Sequence, residues 1–201
     1  MRFLILTVAG LIGFAFPLMG VADPASFDAD KTGLRALDQF KKVAALAPGE
    51  EVMGIAGFYG EPQPRQWLIL SADPATPGIL RESVFADGKV TGERTFQIVL
   101  DQELPDLPLD REVVLIDSDE AFQTVEKEAR SEARLFQFAH FQLRNRDKNS
   151  EPIWMISLIN KAQVPLGILY VSAVSGEIVR RAWIKVKPAR KPEFDESISL
   201  R

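Results

Sequence analysis

The sequence contains no cysteine and a single histidine, His140. Without cysteine the chain can form no disulfide, no thiolate metal site and no covalent haem link, and it offers no cysteine nucleophile. Attachment of lipid to a cysteine behind a signal sequence is excluded as well. Neither sign of charge is in large excess, since 24 Lys and Arg face 28 Asp and Glu, for a net charge of −4. This mild acidity argues against general nucleic-acid binding, which needs a basic footprint.

Long apolar runs are also scarce, and the one that is present lies at the N-terminus, from Phe3 to Phe16. It is shorter than the roughly 20 residues of a membrane-spanning helix. An arginine precedes it, and a proline followed by small residues ends it. This pattern predicts a secretory signal peptide over residues 1–22, with cleavage after Ala22. We therefore expect an exported protein, periplasmic or extracellular, without a stable membrane anchor.

Two segments have the apolar spacing of amphipathic helices. The first begins at Asp30 and ends before a Pro-Gly pair, and the second is expected to be capped by Ser118. The apolar positions of the two predicted helices are Leu34, Leu37, Phe40 and Ala44 in the first, and Phe122, Val125, Ala129 and Ala133 in the second.

Each predicted helix is followed by about four short strands, and the two halves have matching landmarks. Trp67 precedes a turn glycine, Gly88, by nearly the same distance as Trp154 precedes Gly176. Glycine suits these tight hairpins because it accepts positive φ. The parallel spacing predicts an internal duplication, with both tryptophans packed in the core.

The second half resembles the PepSY family. The resemblance rests on "SDEAFQTVEKEA", "PIWMISLI" and "YVSAVSGEIVRRAW" and covers about residues 113–186. It implies an extracytoplasmic α+β module, related in shape to the cystatins, that inhibits or regulates peptidases and carries no catalytic residues. The first half looks like a more divergent copy.

We therefore expect an α+β fold of two tandem cystatin-like or PepSY-like units, each with one helix packed on an antiparallel sheet of about four strands. The predicted boundaries are residues 23–101 for the first unit, 102–112 for a linker, 113–186 for the second unit and 187–201 for a flexible tail. The alternative is that the units share one continuous sheet and form a single domain.

Three motifs suggest chemistry, and each has a simpler explanation. His140 lacks a Gly-x-Ser-x-Gly elbow elsewhere in the chain, so we expect a structural or surface histidine. The segment Asp28–Gly33 resembles the start of a calcium loop, but its twelfth position is Gln39, a neutral amide. Gln163–Gly167 resembles a cystatin hairpin, but its central proline favours a plain turn. We predict no catalytic residue, cofactor or metal.

The end of the second half carries a possible interaction surface, formed by Arg180, Arg181, Trp183 and Lys185. Basic residues on an edge strand can instead serve to block aggregation. We expect a non-enzymatic interaction module that binds or regulates an unknown protein or peptide partner, a peptidase or an envelope protein, by adding a strand at an exposed sheet edge. The alternative is a small-molecule or lipid-binding envelope protein, with the ligand between helix and sheet.

Overall fold

The computed structural model describes residues 31–97, 107–145 and 151–185. Within them the chain forms two helices and eight strands: α1 (Gly33–Val43), β1 (Glu51–Gly60), β2 (Trp67–Ala72), β3 (Ile79–Ala86), β4 (Lys89–Gln97), α2 (Ser118–Ser131), β5 (Phe138–Arg144), β6 (Ile153–Ile159), β7 (Pro165–Ser172) and β8 (Ile178–Trp183). The predicted signal peptide and the predicted tail from residue 187 lie outside these ranges. Neither helix in the described ranges has the length and hydropathy needed to cross a membrane.

All eight strands belong to one antiparallel sheet, in the order β4-β3-β2-β1-β5-β6-β7-β8. The predicted pair of tandem units, each with a helix on its own sheet, is therefore wrong. β1 and β5 join the two halves at the centre, with Gly54 opposite Arg144 and Gly57 opposite Phe141. Glycine is needed at this junction because a Cβ on Gly54 would lie 2.7 Å from the backbone oxygen of Leu143. Joining the halves satisfies the backbone of both strands and leaves β4 and β8 as the edges of the sheet within the described residues.

The two helices lie on the same face of the sheet and share one hydrophobic core. Trp67 and Trp154 are buried in it, as predicted, with their ring centroids 6.2 Å apart. A Cβ on Gly33 at the start of α1 would lie 2.7 Å from Trp154 and 3.1 Å from Trp67. Because α1 touches the tryptophans of both halves, neither half has a core of its own.

The N-termini of the two helices meet and share their capping groups. Asp117 and Glu120 form a capping box on α2, so the N-cap is Asp117 and not Ser118 as predicted. The Asp117 carboxylate also accepts a hydrogen bond from the Leu34 amide at 2.9 Å, and the Ser118 hydroxyl accepts one from the Gly33 amide at 2.8 Å. The first turn of α1 thus depends on residues that begin α2.

The predicted apolar faces of the helices are largely confirmed. Their buried members are Leu34, Leu37 and Phe40 on α1, and Phe122, Val125 and Ala129 on α2. Ala44 is the half-buried C-cap of α1, and Ala133 is exposed beyond the end of α2 with φ of 51°. The predicted start of the first helix, Asp30, lies outside the described residues.

Several landmarks correspond between the halves. Gly88 and Gly176 have φ of 73° and 78°, which confirms their role in the turns. The indole of Trp67 donates a hydrogen bond to the carbonyl of Lys31 at 2.9 Å, and that of Trp154 donates to the carbonyl of Ile116 at 2.8 Å. Each acceptor lies two residues before the first residue of a helix. Common origin of the halves stays a prediction.

The described part of the predicted linker runs along the end of the sheet. The Leu109 amide donates to the Val52 carbonyl at 2.7 Å, and the Leu109 side chain is buried in the core. Arg111 forms two hydrogen bonds of 3.0 Å with the carboxylate of Asp38 on α1. These contacts fix the chain as it passes from the first half to α2.

Candidate functional site

The sheet has one face packed against the helices and a second face, here called the open face. Within the described residues no helix or strand packs against the open face. The residues that define the open face alternate with core residues along the strands. They are Gly54, Ala56, Leu68, Leu70, Glu82, Val84, His140, Gln142, Arg144, Met155, Ser157, Ile168, Tyr170, Arg180 and Ala182. Many of these residues are apolar and only half-buried, which is typical of a surface that binds a ligand or partner.

A groove of about 250 Å³ runs along β1 on the open face. We call it the β1 groove and define it by Gly54, Ala56, Phe58, Leu68, Leu70, Glu82, Phe96, Gln142 and Arg144. Its floor is low because Gly54 and Ala56 carry at most a methyl group. The register places Gly54 between Leu70 and Arg144, and Ala56 between Leu68 and Gln142. The depression is therefore built by two small residues between two strands with larger side chains.

The two charged residues that line the β1 groove, Glu82 and Arg144, differ in whether the described residues give them an ion-pair partner. Glu82 is paired with Arg94, with nitrogen–oxygen distances of 2.8 and 3.0 Å. Arg144 is half-buried, and among the described residues it has no hydrogen-bond or ion-pair partner for its side chain. Among the described residues, the groove thus presents one unpaired guanidinium next to an apolar surface.

Aromatic rings form the rim of the groove at the end of β1. The ring of His140 lies edge-on to Phe58 and Tyr59, with centroids 5.1 and 4.7 Å apart. Phe58 and Tyr59 are 47% and 53% exposed. Tyr59 has φ of 54°, a conformation rare for a bulky residue, within the bulge between Gly57 and Gly60. The bulge turns two aromatic side chains outward beside the groove.

His140 itself packs as part of this rim. Burial lowers the pKa of its imidazole, so the ring is neutral at pH 7. Its Nε2 is buried and has no hydrogen-bond partner in the described part of the chain. The ring contacts of His140 are with Phe58 and Tyr59, and the structural role expected of this histidine stays a prediction.

The four residues predicted to form an interaction surface do not lie on one surface. They are Arg180, Arg181, Trp183 and Lys185. The Arg180 guanidinium lies 5.4 Å from the ring centroid of Tyr170 on the open face. Arg181 points to the opposite face, where it pairs with Glu128 of α2. Trp183 lies under the guanidinium of Arg134 at 5.4 Å, and Lys185 is exposed beyond β8. Successive strand residues alternate between faces, so the run cannot act as a single patch.

The other two motifs give no site. The turn predicted at Gln163–Gly167 is confirmed. Residues 160–164 join β6 to β7, which begins at Pro165, and two amides of this loop donate to the Asn160 side chain at 2.9 Å. Asp28 lies outside the described residues, so the expected absence of calcium binding there stays a prediction. In the described ranges no three His, Cys, Asp or Glu side chains are grouped as metal ligands would be.

The space between helices and sheet, where the carrier hypothesis placed a ligand, is filled by core side chains such as Leu37, Phe40 and Ile69, each fully buried. A cavity of about 310 Å³ lies instead at the margin of α1, next to Trp67 and the hairpin of Gly88. Its rim includes Lys31, Arg65 and Asp87 from connecting segments. The β1 groove is the better candidate because its walls belong to paired strands.

Comparison with known proteins adds little to this geometry. No protein-family profile matches the chain, and no curated protein matches it. Among solved structures, the crystal structure of a candidate lipoprotein from Clostridium difficile is similar, with a TM-score of 0.48 and 9% identity, over 73% of this chain and 89% of that chain. The PepSY resemblance of the second half stays a prediction.

The groove was missed in the sequence, although part of its signal is visible there. In "EVMGIAGFYG" the small residues Gly54 and Ala56 occupy alternate positions, which places them on one face of a strand. The wall formed by Gln142 and Arg144 could not be foreseen. It depends on the pairing of β1 with β5, which the sequence did not reveal.

Proposed function

We propose that the protein is an exported, non-enzymatic binding module of the cell envelope that holds an apolar ligand on the open face of its sheet. The β1 groove is the observation that supports this proposal. An antiparallel sheet usually turns polar side chains to solvent on the face away from its core, whereas here the groove floor and one wall are apolar. Export rests on the signal-peptide pattern of residues 1–22.

The sheet edges are less suited to binding than the face. The β3–β4 pairing and the β7–β8 pairing both contain register shifts. Charged residues also lie on both edge strands, with Glu93 and Arg94 on β4 and Arg180 and Arg181 on β8. Bulges and charges of this kind hinder the addition of a further strand. We therefore favour the open face over strand addition as the mode of binding.

Binding or regulation of a peptidase or an envelope protein remains a second proposal. The exposed rings of Phe58 and Tyr59 favour it, because aromatic residues are enriched where proteins dock. A protein partner would contact this rim together with the groove. Loss of partner binding on replacing Tyr59, which does not line the groove, with serine would support the second proposal if the variant keeps the ligand affinity of the groove.

The main proposal is tested by titrating the folded protein with N-phenyl-1-naphthylamine, an uncharged fluorescent apolar probe. We expect saturable binding, and Ala56→Leu should weaken it by about tenfold or more because leucine fills the groove floor. Ala182→Leu is the matched control, since it makes the same change on the open face of β8, away from the groove. Urea unfolding of both variants checks that each is folded.

Two results would contradict the proposal. One is the absence of saturable probe binding to the native protein. The other is an equal loss of binding in Ala56→Leu and Ala182→Leu, which would show that the probe reports the general surface and not the β1 groove.

A further inference from the structure

The two walls of the β1 groove differ in chemistry. Leu68 and Leu70 of β2 line one side, and Gln142 and Arg144 of β5 line the other. The strands β2 and β5 are two strand spacings apart, about 10 Å, because β1 lies between them. Over β1 there is only a hydrogen atom at Gly54 and a methyl group at Ala56, so a slender ligand can lie lengthwise between an apolar wall and a polar one.

In the described part of the chain, the unpaired charge at this groove is positive. Arg144 has Gly54 and Ile153 as its cross-strand neighbours, and neither carries a charge. Glu82, the one carboxylate among the described residues that line the groove, is already neutralised by Arg94. An unpaired guanidinium beside an apolar surface is complementary to an anion with an apolar body, and the planar fork of arginine suits a carboxylate in particular.

The size of the groove limits the apolar body. Its volume of about 250 Å³ lies below the range of about 300–1,000 Å³ that is usual for pockets of drug-sized ligands. A molecule with two acyl chains would exceed it. One alkyl chain along Leu68 and Leu70 would not.

Building on the proposed function, we infer that the β1 groove binds a single-chain fatty carboxylate, with its head group on Arg144 and its chain along Leu68 and Leu70. The carboxylate would receive charge-assisted hydrogen bonds from the guanidinium. The chain would remove the two leucines and the methyl group of Ala56 from water, which is the main source of affinity for an apolar ligand.

The test is displacement of N-phenyl-1-naphthylamine from the native protein by decanoate, decanol and decyltrimethylammonium, each below its micellar concentration. We expect decanoate to displace the probe at a concentration about tenfold lower than decanol, because of the charge-assisted hydrogen bonds. Arg144→Gln should abolish this difference between decanoate and decanol. Arg180→Gln is the control, since Arg180 lies on the same face outside the groove.

The possible outcomes separate the two proposals. Equal potency of decanoate and decanol, or an equal effect of Arg144→Gln and Arg180→Gln, would overturn the fatty carboxylate while leaving an apolar groove. Displacement by an apolar tetrapeptide with a free C-terminus as effective as that by decanoate would overturn it in favour of a peptide ligand. Absence of saturable probe binding would overturn the proposed function and this inference together.

Discussion

The two halves of the sheet are alike on the face that meets the helices and different on the open face. On the covered side, Trp67 and Trp154 occupy corresponding positions on the second strand of each half and make corresponding hydrogen bonds. On the open side, β1 presents Gly54 and Ala56, whereas β5, the first strand of the second half, presents Gln142 and Arg144. Packing against a helix restricts one face, while the other is free to differ between halves.

This difference creates the candidate site. The β1 groove exists because the small residues of one half are paired with the larger side chains of the other. If β1 and β5 carried side chains of the same size on the open face, the sheet would have two shallow walls or no groove. The covered side should contribute to stability in both halves, whereas some contacts belong to one half alone.

The largest expected effect comes from replacing the core tryptophans one at a time. Trp67→Ala and Trp154→Ala should each lower the free energy of unfolding by about 3–5 kcal/mol, because each removes a buried indole from the shared core. Urea unfolding followed by circular dichroism measures the loss. A single cooperative transition is expected for the native protein. Two separate transitions, each sensitive to only one tryptophan, would contradict a shared core.

A smaller but more specific effect is expected at the shared cap. Asp117→Ala should cost about 2 kcal/mol, above the roughly 1 kcal/mol of an ordinary N-cap, because the carboxylate serves the first turns of both helices. Hydrogen exchange of the Leu34 amide on α1 should accelerate together with that of the first turn of α2. Asp119→Ala, in the first turn of α2 but without the cap geometry, should change only α2. Unchanged exchange at Leu34 would disprove the sharing.

The third expected effect is the pH-dependent stabilisation by Glu50, which belongs to the first half alone. The buried carboxylate of Glu50 accepts hydrogen bonds from Ser71 at 2.5 Å, from the Ala47 amide at 2.9 Å and from Arg81 at 2.7 and 2.8 Å. Burial acts to raise the pKa of Glu50, but the bonds from Ser71 and Ala47 and the charge of Arg81 outweigh it and lower the pKa below 4.5. A lowered pKa means that the carboxylate stabilises the fold above pH 4.5 and that this contribution is lost as the pH falls through the lowered value.

Glu50→Gln should therefore cost about 1.5 kcal/mol at pH 7, and its difference from the native protein should shrink as the pH falls below 4.5. Thermal unfolding at a series of pH values measures this. Glu82→Gln is the control, since its partner Arg94 is 70% exposed and surface ion pairs contribute little. A difference that stays constant down to pH 3 would show that the charge of Glu50 is not what matters.

The parts of the fold that sequence could predict are those set by neighbours along the chain. The apolar faces of α1 and α2 follow from a repeat of three and four residues, and the turns at Gly88 and Gly176 follow from the need for positive φ. The joining of the halves was not predictable in this way. β1 and β5 have the same alternation whether they pair with each other or lie at an edge, so the choice is made by tertiary contacts.

The candidate site was predictable only in part for the same reason. Small residues at Gly54 and Ala56 mark a low line along one strand, but Arg144 reaches it only through the register of a distant strand pair. The basic run near the C-terminus is the opposite case, because its arrangement could be predicted from the sequence. Arg180 and Arg181 are adjacent in a strand, so their opposite orientations follow from strand geometry alone and argue against a single patch.

The shared cap also sets an order of events for a chain that emerges from its N-terminus. The Gly33 and Leu34 amides find their acceptors 85 and 83 residues further along the chain. When the first half has been synthesised or translocated, α1 still lacks its cap and β1 still lacks its central partner. We expect the apolar surface of the first half to stay incompletely covered until the segment from Asp117 to Arg144 has followed it. We therefore expect folding to be completed in one late event, after both halves are present.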